Sequence, residues 1–320
     1  MFQTQWHLWL QHTLDASWML AVMQFISLLG YELGYTALIL VCAFGARLRA
    51  GLCVMLAVLL MACATHAIKQ SAALPRPSDV DAAVLDKGEP SHPFVVDGGA
   101  RTFWSLPDAQ ATAMLRAQPH ADYGFNSGHV GITTAACVSL LLAFGIRWRW
   151  LRWVLVLGWP LLMAISRMYL GRHFLADVVA GWLIGIGVAV LAWQLMPGLR
   201  RARRWQLPAL LGVGVALAWA SLWTPLVPLG EASRLLALAL LVAWLQWRGW
   251  PADPQGIVQR VVRVLGVVVI YLLARPLIDW VATRIPLPDV PMTGLLWHTV
   301  GTLLILGGGV ALARWIPRQR

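Results

Sequence analysis

Residues 166–177 read Ser-Arg-Met-Tyr-Leu-Gly-Arg-His-Phe-Leu-Ala-Asp, and two of them can do chemistry together. On a helix, residues four apart share a face. If His173 opens a helix, Asp177 therefore lies one turn further on, within reach of the imidazole. A carboxylate bonded to one ring nitrogen fixes the tautomer and frees the other nitrogen to attack, which makes His173 a candidate nucleophile. Arg167 and Arg172 add positive charge beside it. The combination describes a site for phosphate chemistry.

Two further groups fit the same chemistry. Lys69, six residues, then Arg76 and Pro77 close one apolar run, and Asn126-Ser127-Gly128-His129 opens another. Lys69, Arg76 and Arg167 supply cations for phosphoryl oxygens. Arginine binds these in bidentate fashion, and charge stabilisation dominates phosphoryl transfer. Ser127 and Gly128 stand where a loop enters a helix, so free N–H groups and the helix dipole can cradle an anion, with Gly128 leaving room for its approach. His129 is placed to protonate a leaving oxygen and then to take a proton from the water that frees phosphate from His173. Three cations already offset the charge, so no metal and no other cofactor is expected. A single basic residue at the end of a span usually snorkels to the interface, and a lone His–Asp pair is often structural. Joint spacing argues against both readings here.

At these residues the chain resembles the type 2 phosphatidic acid phosphatase superfamily. Its pattern is a Lys-x6-Arg-Pro element, a Pro-Ser-Gly-His element and a Ser-Arg-x5-His-x3-Asp element. The first and third match throughout, and the second departs at Asn126, where the family usually has proline. The missing ring loosens the loop but removes no catalytic group. The resemblance covers Lys69 to Asp177 and, by helix pattern, Gly51 to Leu195. It implies a helical core and a phosphohistidine at His173, with His129 as acid and base. Lys69, Arg76, Ser127, Gly128, His129 and Arg167 would form the phosphate pocket.

These groups must be held by elements that live in a membrane. With 320 residues, 59% hydrophobic, 12% charged and a mean hydropathy of +0.68, the chain has too little polar surface for a soluble globule, so the expected fold is an all-α polytopic membrane helix bundle. The net charge of +11 comes mostly from arginines in short gaps between apolar runs. That is a positive-inside pattern suited to anionic lipid headgroups, and no nucleic-acid partner is expected. Cys42, Cys53, Cys63 and Cys137 fall inside apolar runs without metal-ligand spacing and read as packing residues. The first basic residue is Arg47, so no cleaved signal peptide is expected.

Residues 1–30 read as an N-terminal interfacial segment. Phe2 to Leu14 forms an amphipathic helix on which His7 and His12 are expected at the surface. Residues 31–196 form the catalytic membrane core, and residues 206–320 add C-terminal helices of unknown role. About nine crossings are expected: Leu33–Ala46, Gly51–Ile68, Gly128–Ile146, Leu151–Ile165 with a kink at Pro160, His173–Leu195, Leu207–Trp223, a short Leu235–Trp247, Val262–Ala282 and Gly294–Ala313. Whether Trp18–Leu29 also crosses is left open. A polar loop over residues 78–125 contains half of the acidic residues and Pro90, Pro93, Pro107 and Pro119, with a short helix expected over Leu106–Arg116 and a possible role as a lid. On this map the basic flanks at Arg47, Arg147, Arg200 and Arg248, and the tail at Arg314, Arg318 and Arg320, share the cytoplasmic side. All three site motifs then share the external face.

The leading functional expectation is an integral membrane phosphatase acting on lipid phosphates such as phosphatidate, phosphatidylglycerol phosphate, polyprenyl diphosphate or a sphingoid phosphate. Membrane lipids are its partners, and a bacterial inner membrane with the site facing the periplasm is its setting. Alternatives are a phosphatase for a water-soluble ester in the manner of glucose-6-phosphatases, a lipid phosphotransferase, and a non-catalytic lipid-binding or transport protein working through Leu207–Arg320. The last would have no need to keep His129, His173 and Asp177 together.

Overall fold

The computed structural model describes residues 1–87, 93–119, 121–199, 203–285, 288 and 290–316. Pro90, Arg200, Arg201, Arg318 and Arg320 lie outside the described residues. Among the described residues the chain is helical, without a β-strand. In order the helices are α1 (Gln5–Thr13), α2 (Ser17–Leu28), α3 (Glu32–Gly45), α4 (Leu48–Ala72), α5 (Pro77–Val80), α6 (Ala109–Arg116), α7 (Gly128–Phe144), α8 (Arg149–Trp153), a π-helical turn (Val154–Gly158), α9 (Trp159–Tyr169), α10 (Leu175–Leu195), α11 (Gln206–Ala220), α12 (Leu229–Arg248), α13 (Ile257–Arg284) and α14 (Pro291–Trp315).

Each of the nine expected crossings is an apolar helix. Leu48–Val80, Arg149–Tyr169, α10, α12, α13 and α14 are long enough to span, α7 and α11 are shorter, and α2 with α3 makes a pair bent by 55°. The break falls at Leu29–Tyr31, and Trp18–Leu29 forms the first arm of this bent pair. Helix α12 is longer than its apolar run, because the polar first turns contribute nothing to hydropathy yet satisfy themselves: Ser233 Oγ donates to Leu229 O at 2.6 Å. A π-helical turn, Val154–Gly158, stands just before Pro160, where a kink was expected. Proline lacks an N–H and crowds the carbonyl four residues back, which is that of Val156, and Trp182 Nε1 donates to this oxygen at 2.9 Å. In the polar loop, α6 begins after Pro107 at Asp108, whose carboxylate accepts from the N–H groups of Gln110 and Ala111.

The contacts divide the chain into two units. The first comprises Met1–Tyr35, Ala64–Val138 and Ile146–Val188. Its core has one cluster around Met23, Ile26, Val130, Met163, Tyr169 and Val178 and another around Phe2, Val80, Ala111 and Phe174. Two glycines bring α7 and α10 together backbone to backbone. A Cβ on Gly181 would lie 2.6 Å from Ser127 O, and one on Gly185 would lie 2.5 Å from Gly131 O. Helix α1 corrects an expectation. His12 is exposed, but His7 is fully buried together with Gln11, while Trp6 and Trp9 face outward. The amphipathic helix turns its polar face inward.

The second unit comprises Thr36–Cys63, Ser139–Gly145 and Ala189–Arg320. Arginines there close helix ends and loops. Arg49 donates to Gly198 O, Arg260 to Gly45 O, Arg263 to Ala252 O and Ala313 O, and Arg314 to Gly249 O. Cations at helix C-termini satisfy orphan carbonyls and favour the dipole. Flanks that the charge count assigned to one side are thereby joined, including Arg47 and Asp253 at 3.8 Å.

Candidate functional site

The loop between α9 and α10 sets the geometry. Leu170 N donates to Ser166 O, Gly171 N to Met168 O and Arg172 N to Arg167 O, each at 3.0 Å. Gly171 has φ +76°, and a Cβ there would lie 2.6 Å from Leu85 O, so both the left-handed backbone and the close approach require glycine. His173 precedes the helix rather than opening it. Asp177 still reaches it, because Asp177 sits in the first turn of α10, where Oδ2 accepts from Phe174 N at 2.9 Å as in half of a capping box. The same oxygen is 3.5 Å from His173 Nδ1, with both side chains buried. This contact is longer than an ordinary hydrogen bond. Burial, and after it the charges of Arg167, Lys69 and Arg76, hold the His173 imidazole well below the usual histidine range. It is therefore neutral at pH 7.

The cations arrive from three directions. Lys69 ends α4, and Arg76 precedes α5, where Asp79 Oδ2 accepts from Arg76 N at 2.8 Å. Asp122 lies across both, with Oδ1 3.4 Å from Lys69 Nζ and Oδ2 bonded to the Arg76 guanidinium. Burial opposes ionisation of Asp122, but Lys69 and Arg76 outweigh it and hold the carboxyl below its usual value. Arg167 is buried in α9 and donates from Nη1 to Ser27 Oγ at 2.7 Å. Arg172, expected to lend its charge to the site, is engaged by Asp86 at 3.0 Å, the two side chains 7% and 5% exposed.

Ser127, Gly128 and His129 enter α7 beside Asp177, whose carbonyl accepts from Ser127 N at 3.0 Å. A Cβ on Gly128 would lie 3.1 Å from Thr65 Cγ2. The His129 ring meets Tyr31 edge-on at 4.7 Å, and a Cβ on Gly30 would lie 2.7 Å from His129 Cδ2. Several buried polar atoms of these segments have no protein partner: Arg76 Nε, both side-chain polar atoms of Asn126, Ser127 Oγ, His129 Nε2 and Arg167 Nε. Interiors pair nearly all such atoms, so these atoms in the three motifs are candidates to bond a polar ligand. The start of α7 adds its dipole to a region already carrying Lys69, Arg76 and Arg167. Among the described residues no group of three or more His, Cys, Asp or Glu side chains could hold a metal ion.

A family model described as the PAP2 superfamily matches residues 50–201. Over those residues the chain is similar to the PAP2 superfamily. An undecaprenyl-diphosphatase of Sulfolobus acidocaldarius is 36% identical over 84 residues, covering 26% of this chain and 38% of that protein. Sphingosine-1-phosphate phosphatase 1 of Rattus norvegicus and that of Mus musculus are each 27% identical over 96 residues, covering 29% of this chain and 22% of theirs. The chain thus spans well under half the length of these relatives. No solved structure matches it.

All eight residues singled out by sequence, Lys69, Arg76, Ser127, Gly128, His129, Arg167, His173 and Asp177, lie within the PAP2 segment and within the first unit. Several contacts fall before that segment or in its polar loop, and the motifs do not reveal them. Ser27 holds Arg167, Tyr31 and Gly30 border His129, His7 Nε2 lies 2.9 Å from His173 O, and Asp86 and Asp122 meet the site's arginines and lysine. One signal was available, since the loop's acidic residues follow a strongly basic motif. Gly30 between two apolar runs was another.

Proposed function

We propose that this chain is a membrane phosphatase that hydrolyses lipid phosphate mono- or diphosphate esters through a phosphohistidine at His173. The observation that carries the reading is a buried imidazole with a buried carboxylate 3.5 Å from Nδ1, in the company of the motif cations Lys69, Arg76 and Arg167. In the first step His173 Nε2 attacks phosphorus. The P–N bond forms as the P–O bond to the lipid breaks, and His129 gives the leaving oxygen its proton. In the second step His129 takes a proton from water, which attacks phosphorus and releases phosphate from His173. Asp177 orients the imidazole and stabilises the cation that develops on it. Lys69, Arg76 and Arg167, with Ser127 and Gly128, hold the equatorial oxygens, so the reaction proceeds without a metal ion.

The membrane setting supports a lipid substrate. The site stands at the ends of apolar helices, where a headgroup lies, and a tail reaches it by lateral entry between helices. The relatives' names point the same way, one to a polyprenyl diphosphate and the others to a sphingoid phosphate. By the charge rule the site faces away from the arginine flanks, toward the periplasm of a bacterial inner membrane. Residues 31–196 carry the reaction, and residues 206–320 form an accessory group of helices.

The test is phosphate release by the detergent-purified protein in EDTA, on phosphatidate, polyprenyl diphosphate and glucose 6-phosphate, with His173→Ala alongside. Turnover of a lipid, lost in the variant and blocked by vanadate, is the expected result. Near-normal turnover in His173→Ala overturns the nucleophile, turnover of the sugar ester alone overturns the lipid assignment, and a requirement for added metal overturns the metal-free step.

A further inference from the structure

The peptide plane joining His173 to Phe174 is held at both ends. Its N–H donates to Asp177 Oδ2 at 2.9 Å, the oxygen that also faces the His173 imidazole at 3.5 Å. Its carbonyl lies 2.9 Å from His7 Nε2, a contact buried on both sides and 166 residues distant in sequence. A carbonyl can only accept, so His7 carries its proton on Nε2. The His7 ring also meets Phe174 edge-on at 5.7 Å.

His7 does not act alone. One turn along α1, Gln11 shares its face and donates from Nε2 to Tyr169 O at 2.9 Å and to Leu85 O at 2.7 Å, while its Oε1 accepts from Leu85 N. Met1 O accepts from Ala176 N at 3.3 Å, and Tyr169 Oη donates to Leu14 O at 3.2 Å. The segment Met1–Leu14, with α1 at its centre, thus holds residues before, at and after the proposed nucleophile, at Tyr169, His173 and Ala176. A helix serving only as an interfacial anchor would turn His7 and Gln11 to water. Here the tryptophans face outward and the two polar side chains face the loop.

We infer that α1 is a strap that positions the nucleophile, with His7 fixing the peptide plane through which Asp177 and His173 are aligned. The inference rests on the proposed role of His173. Rotation of that plane about its neighbouring bonds would draw the Phe174 N–H away from Asp177 Oδ2 and shift the carboxylate relative to the ring. His7 is accordingly a positioning residue that touches neither substrate nor reacting atoms. Neutral His7 has the donor the carbonyl needs, and burial lowers its pKa below the usual histidine value.

The experiment uses the full-length protein in detergent, with His7→Phe, His7→Gln and Gln11→Met. Phenylalanine keeps the packing against Phe174 without a donor, and glutamine restores a side-chain N–H. His7→Phe is expected to lower kcat by about 100-fold, the scale of an ångström of misplacement, with KM changed little. His7→Gln is expected to recover most of that loss. Gln11→Met should lower kcat in the same direction and covers the case in which His7→Phe does not fold. Hydrogen exchange of a peptide spanning residues 170–177, read on the same variants, should be faster in His7→Phe and Gln11→Met and near wild type in His7→Gln. Wild-type kcat in His7→Phe or Gln11→Met, equal losses in His7→Phe and His7→Gln, or unchanged exchange would overturn the strap. A wild-type protein without turnover overturns the proposed activity instead, and the exchange comparison alone then decides the strap.

Discussion

Two carboxylates from the same polar loop meet the cations around the site, and they do so in opposite ways. Asp86 is shut in with Arg172, both side chains nearly inaccessible. Asp122 lies over Lys69 and Arg76 with its own side chain 65% exposed. A charge pair out of water must stay together, because separating it leaves a bare ion in a poor solvent. A pair open to water exchanges partners at little cost. Arg172 is thus committed to fastening the loop next to the proposed nucleophile, and Lys69 and Arg76 are held by a group that, on the proposed reading, a phosphoryl anion replaces. Of the four basic residues in the motifs, Lys69 and Arg76 are the two paired with a solvent-exposed carboxylate.

The largest test of that contrast is Asp86→Ala, which leaves Arg172 without its buried carboxylate and should lower stability by about 3–5 kcal/mol, read as thermal unfolding in detergent. A cost as small as that of removing Asp122 would erase the distinction. Next in size is Asp122→Asn. Removing the competing charge should tighten vanadate binding and lower KM by up to about 5-fold, the equivalent of about 1 kcal/mol, and unchanged affinity would show that the carboxylate does not occupy the anion position. The pH dependence sharpens the same point. Lys69 and Arg76 depress the Asp122 carboxyl, so it stays ionised at every pH above its ordinary value, and the difference in KM between wild type and Asp122→Asn should be flat from pH 5 to pH 8. The smallest effect is on folding. The pair's contribution is present above the unfolded carboxyl's pKa of about 4 and is lost as pH falls through the depressed value, and at neutral pH Asp122→Asn should change stability by less than about 1 kcal/mol.

Much of the candidate site was legible in the chain because phosphate chemistry, as proposed, demands particular residue types. Lys69, Arg76, His129, Arg167, His173 and Asp177 stand at helix ends with spacings that a random apolar sequence would not produce. The crossings were legible for a similar reason, since lipid requires long apolar helices. His7 was not. Its partner is a backbone carbonyl, which every residue possesses, so nothing near His173 announces it. Periodicity did mark α1 as two-faced, but in a membrane the outside is also apolar, and an amphipathic pattern does not say which face turns in. Asp86 and Asp122 were visible only as part of an acidic loop, because pairing across dozens of residues leaves no local pattern. Helix α12 was underestimated because its polar first turns are satisfied within the helix.

The glycine contacts between α7 and α10 bear on how the site tolerates its surroundings. Bilayers differ in thickness, and helices adapt chiefly by tilting or kinking. Where Gly181 and Gly185 meet the backbone of Ser127 and Gly131, a slide of even one residue, about 1.5 Å, would drive main chain into main chain. The two helices must therefore tilt as one plate, and His129 and Asp177 travel with it as a fixed pair. The spacing of the proposed acid and orienter is cast in the backbone, and a thinner or thicker membrane is expected to change where they float before it changes their spacing.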